Sequence, residues 1–69
     1  MQANEWAGQK VQYRSILDKV LHPGATSTGT VHYVLDFDSA GAPRTLLVIK
    51  DRGFGTPSKI PVSDIVAVL

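Results

Sequence analysis

The eight residues Arg52-Gly53-Phe54-Gly55-Thr56-Pro57-Ser58-Lys59 are the place where chemistry would first be sought. Two glycines one residue apart, followed by Ser-Lys, suggest a loop that cradles phosphate. A P-loop, however, needs a glycine directly before its lysine and a helix after it, whose N-terminal N–H groups meet the anion. Here Ser58 precedes Lys59 and Pro61 interrupts any helix. A dinucleotide fingerprint needs a third glycine where Ser58 stands, again leading into a helix. The stretch therefore reads as a loop joining two strands, with Phe54 at its tip.

The other reactive side chains form no known constellation. Asp36 and Asp38 share one strand face, but a general acid–base pair needs environments that separate the two pKa values. Asp38, placed opposite Arg44 beside a turn, reads as a solvated ion pair. His22 and His32 are too few for a structural metal cage, and cysteine is absent, which excludes disulfides and thiolate zinc sites together. Ser58, Ser63 and the histidines show no local nucleophile signature. No catalytic, metal-binding or cofactor-binding residue is assigned. Trp6, Tyr13, Tyr33 and Phe54 are the aromatic side chains on which bases could stack.

The elements that position these residues follow from periodicity. Residues 1–5 are polar and expected to fray, leaving 6–69 as one small domain. Val11 and Tyr13 alternate as a first strand. Tyr13, Ile16, Leu17, Val20 and Leu21 lie at helical spacing, so a helical turn is expected within 14–21, stopped by His22-Pro23-Gly24. Val31, Tyr33, Leu35 and Phe37 alternate with polar neighbours, which marks a half-buried strand. Ser39 to Pro43 is the turn, and Arg44–Lys50 the return strand. Ser58–Val62 is a short strand that Pro61 places at an edge or bulge. Ser63-Asp64-Ile65 is a helical turn that Ser63 could cap, and Val66–Leu69 closes the chain as a strand.

A register with Asp38 opposite Arg44 puts Tyr33 against Ile49, Leu35 against Leu47 and Phe37 against Thr45 on the inner face. Val34, Leu46 and Val48 then form an apolar outer face, to be covered by the 14–21 segment or a second copy. The fold class expected is mainly β: a small SH3-like barrel of about five antiparallel strands with a short helical turn.

Two resemblances go with that architecture. The run from Gly29 (GTVHYVLDFDSAGAPRTLLVIK), followed by KIPVSDIVAV, resembles the PRC-barrel family over Gly29–Val68. The resemblance implies a non-catalytic module that binds other proteins or pairs with itself, as in photosynthetic and ribosome-assembly settings. The close SKIPVSDI is also similar to the plasmid-type dihydrofolate reductases, which tetramerise around a pore. Their active strand carries Gln-Ile-Tyr where this chain has Lys59-Ile60-Pro61, so that activity does not carry over.

Size and charge bound the function. A chain of 69 residues buries only about 60% of its unfolded surface, and oligomerisation is a common remedy. Seven basic and six acidic residues leave a net charge of +1, far from the basic stripe of a nucleic-acid binder. No apolar run approaches the roughly 18 residues of a membrane span. The expectation is a cytoplasmic protein-binding or assembly module with no cofactor, using Val34, Leu46, Val48 and Phe54 as its interface. The alternative is a nucleic-acid-binding barrel using Lys50, Arg52, Lys59 and Trp6. An enzyme whose site forms only in an oligomer pore is third.

Overall fold

The computed structural model describes residues 3–52 and 56–69. Its elements are α1 (Ala3–Trp6), β1 (Lys10–Tyr13), α2 (Ile16–Leu21), β2 (Ser27–Phe37), β3 (Pro43–Lys50), β4 (Pro57–Pro61), a 3-10 turn (Val62–Asp64) and β5 (Ile65–Val68). The protein is mainly β, as the alternating patterns predict. Five antiparallel strands form one sheet in the order β4-β3-β2-β1-β5. Helix α1 begins within the segment expected to fray.

The long strand β2 organises the sheet, and it does not keep one inward parity. Ser27, Gly29 and Val31 are buried, then the register against β3 shifts between Val31 and Tyr33. A β-bulge inserts one residue and so flips every later side chain to the opposite face. Beyond it Val34 turns onto the core, while Tyr33, Leu35 and Phe37 are exposed. The observed pairs are Tyr33 with Leu47, Val34 with Leu46, Asp36 with Thr45 and Phe37 with Pro43. This corrects both the expected register and the expected inner face. Leu46 and Val48, read from sequence as an outer interface, are fully buried in the core with Trp6, Val11, Tyr13, Val31 and Ile60.

Trp6 is held there by backbone hooks. The N–H of Gly8 donates to the carbonyl of Val31, and the N–H of Val31 donates to that of Gln9, each at 2.8 Å. Those bonds fasten the chain after α1 onto β2 and press the indole over the core. Gly29 allows a close approach of β2 to β3. A Cβ built there would lie 2.7 Å from the carbonyl oxygen of Ile49 and 2.8 Å from Cγ1 of Val48.

The β2–β3 turn falls where Gly41 and Pro43 place it. Oδ1 of Asp38 accepts the N–H groups of Ala40 and Ala42 at 2.9 Å, and Gly41 takes φ +82°, which favours glycine. Asp38 therefore serves the turn, and Arg44 pairs with Asp36 instead. The 3-10 turn is capped at Pro61 without a side-chain hydrogen bond, so Ser63 is not its cap.

Candidate docking site

The feature that departs most from ordinary packing is α2. Its start is fixed by a capping box. Oγ of Ser15 accepts the N–H of Asp18 at 3.1 Å, while Oδ2 of Asp18 accepts the N–H of Ser15 at 2.9 Å. Its end is set at His22, whose N–H still reaches the carbonyl of Asp18 before Pro23 and Gly24 turn the chain away. Nδ1 of His22 accepts the N–H of Gly24 at 3.0 Å, a turn role that occupies this histidine.

Among the described residues, the side-chain hydrogen bonds and ion pair that fasten α2 to the rest of the domain come from its polar residues Asp18 and Lys19. Oδ2 of Asp18 accepts Oγ–H of the buried Ser27 on β2 at 2.8 Å. Nζ of Lys19 meets Oδ2 of Asp64 in the 3-10 turn at 2.7 Å. With successive residues about 100° apart around a helix, Ile16, Val20, Leu17 and Leu21 cover one arc, and Asp18 and Lys19 lie opposite it. Anchoring by the second side must point the first outward. Accordingly Ile16 is 82% exposed, Leu17 60%, Val20 77% and Leu21 68%, and α2 buries none of its side chains. An amphipathic helix on a globular domain ordinarily faces its apolar stripe inward. Here the amphipathic helix is inverted.

Beside α2 lies an open groove of about 390 Å³, lined by Asp18, Thr26, Ser27, Thr28, Lys50 and Arg52. Pairing of Gly29 with Lys50 brings the end of β3 next to the start of β2, and the N–H of Asp51 donates to the carbonyl of Thr28 at 3.0 Å. Asp51 turns to Lys10 in an ion pair at 3.3 Å. The carboxyl of Asp18 is held below its ordinary value, chiefly by the N–H of Ser15. The hydroxyls of Ser27 and Ser15 and the charge of Lys50 add to this, against an opposing effect of burial. Burial raises the Tyr13 hydroxyl, helped by the negative charges of Asp18 and Asp51.

The remaining candidates from sequence scatter. Val34 is half-buried against the core, and Leu46 and Val48 lie inside it, so no outer face joins them. Phe54 lies outside the described residues. Of the proposed nucleic-acid contacts, Lys50 and Arg52 meet in the groove. Lys59 is exposed on β4, at the edge of the sheet and paired with Leu47. Trp6 is buried and offers no stacking platform. Asp36 is held below its usual range, first by its hydrogen bond from Arg44, as one partner of a surface ion pair. The ring of His32 stands 5.2 Å from that of Tyr33, tilted, on the exposed side of β2.

The sequence shows the apolar stripe of α2 and offers it, or a second copy of the chain, as the cover for an apolar sheet face; α2 instead turns that stripe outward. The readable signal was Ser15-x-x-Asp18, a capping pattern that occupies Asp18 on the side facing the domain. Among the described residues no group of three or more His, Cys, Asp or Glu side chains could hold a metal ion. None of the described helices is long and apolar enough to cross a membrane. No family model, curated protein or solved structure matches the chain.

Proposed function

We propose that this chain is a small barrel-like docking module that binds another protein through the outward apolar face of α2. The observation that carries the reading is the inversion of that helix: its polar side is fastened to Ser27 and Asp64, and four large aliphatic side chains face water. A domain whose described residues put only seven apolar side chains in the core would gain by burying those four. The likeness of Gly29–Val68 to PRC-barrel modules, which bind proteins or themselves, points the same way. A cytoplasmic setting goes with this reading, since a cysteine-free domain loses nothing in a reducing compartment.

The test uses an uncharged helical peptide with leucines on one face and glutamines on the other, titrated into the labelled full chain by NMR. The expected result is a set of shifts confined to α2 and its flanks. In Leu17→Glu/Val20→Glu they disappear while the melting temperature stays within about 3 °C of wild type, because these side chains are mostly exposed and lie outside the core. Shifts elsewhere, or binding undiminished in the variant, would remove the reading. So would unfolding of the variant, which would make the face part of the fold.

A further inference from the structure

The charges around α2 say more about what it docks. Four of the seven basic side chains are engaged. Lys10 pairs with Asp51, Lys19 with Asp64 and Arg44 with Asp36, and Arg14 donates to the carbonyls of His22 and Ala25. Among the described residues, the side chains of Lys50, Arg52 and Lys59 make no hydrogen bond or ion pair, although the charge of Lys50 acts on nearby Asp18. Two of those three line the groove beside α2. The groove's own carboxylate, Asp18, already accepts three donors on Oδ2 from Ser15 and Ser27.

Position connects the groove to the apolar face. Going round the helix, Leu17 and then Leu21 come next before Asp18, which lines the groove. A partner lying on Leu17 and Leu21 has its flank on the Asp18 side, toward the groove that Lys50 and Arg52 line. A second copy of this chain is poorly suited to that flank, because its acids are already engaged. Asp36, Asp51 and Asp64 are in ion pairs, and Asp38 accepts two N–H groups of its turn. Asp18 is occupied as above, and Glu5 has an interaction of its own. The counter-charge must come from elsewhere.

We infer that the partner is an acidic amphipathic segment of a different protein, laying apolar side chains on Leu17 and Leu21 and carboxylates beside Lys50 and Arg52. This rests on the docking reading above and specifies its occupant. Carboxylates suit the site better than a nucleic-acid backbone. Among the described residues, the cations of the groove are two rather than a stripe, and the surface adjoining them is aliphatic rather than a base-stacking aromatic.

The test compares three fluorescent helical peptides that share a leucine face and differ in flanking residues: glutamate, glutamine or lysine. Each is titrated by anisotropy into the full chain and into Lys50→Gln/Arg52→Gln. Phosphatidylserine–phosphatidylcholine vesicles and a single-stranded oligonucleotide serve as competitors. At low salt the glutamate peptide is expected to bind about five- to tenfold tighter than the glutamine peptide. The advantage should vanish in the double variant and near 1 M salt, where the screening length is about 3 Å. Equal binding of the glutamate and glutamine peptides would overturn the acidic partner and leave the docking reading standing. Failure of all three would overturn both. Preference for the vesicles or the oligonucleotide over the glutamate peptide would also overturn it, as would self-association through α2 that the peptide cannot compete away.

Discussion

Replacing Asp18 with alanine strikes the joint on which the orientation of α2 depends. The carboxylate oxygen Oδ2 takes the N–H and Oγ–H of Ser15 at 2.9 Å each and Oγ–H of Ser27 at 2.8 Å. Loss of half a capping box costs about 0.5–2 kcal/mol. Stranding a buried hydroxyl such as Ser27 adds about 1–3 kcal/mol, reduced here because the groove admits water. A combined loss of about 2 kcal/mol is expected after discounting for exposure. For a domain of this size that lowers the melting temperature by roughly 10 °C. Circular dichroism melts would read it, and a proton titration adds a second signature. The folded-state carboxyl lies below its unfolded value, so its stabilisation is complete above that value, near 3.8, and is lost as pH falls through the folded one. Asp18→Asn should therefore lose less stability than wild type on going from pH 5 into strong acid. A remaining acid sensitivity is expected from Asp36, which is depressed in the same direction. An Asp18→Ala protein melting within about 2 °C of wild type, or an Asp18→Asn protein with an unchanged acid slope, would refute the account of how α2 is held.

Two further expectations follow from burial and close approach. Leu46→Ala removes a fully buried side chain and should cost about 2–5 kcal/mol, seen as a collapse of the urea midpoint; an outer-face residue would leave the midpoint unmoved. Gly29→Ala puts a methyl group against the backbone oxygen of Ile49, so β2 must move off β3. A loss of about 1–3 kcal/mol in chemical denaturation is expected, and wild-type stability would mean the approach is looser than described.

What could be read in the chain were the features governed by near neighbours. The turn at Ser39–Pro43, the strand character of 31–37 and 44–50, and a helical turn stopped by His22-Pro23-Gly24 all declare themselves through local chemistry. The inward face of the β2–β3 hairpin could not be read, because it depends on register shifts, first at Val31/Tyr33 and again at Val34/Asp36 and Asp36/Phe37, that no residue type announces. Carrying the parity of Val31 through to Phe37 inverted the hairpin and made Leu46 and Val48 look like surface. The direction of α2 failed for a related reason. It is decided by Ser27 and Asp64, contacts from distant parts of the chain, whereas the apolar spacing alone suggests an inward face. Lys50 and Arg52 were found together as candidate contacts. Their link to α2 needed the pairing that sets the end of β3 beside the start of β2.

The pairing of β1 with β5 has a kinetic consequence. Val11 lies opposite Val68, and the N–H of Leu69 reaches the carbonyl of Lys10 at 2.8 Å, so this seam joins the most distant parts of the described chain. The β2–β3 and β3–β4 pairings close between consecutive strands, whereas the β1–β5 seam must wait for everything between to be gathered in. A seam completed after the rate-limiting step makes little difference to how fast the molecule folds and a large one to how fast it comes apart. If the β1–β5 seam forms after that step, substitutions in it should speed unfolding and leave folding nearly unchanged, and α2, which follows directly on β1, would be released with it.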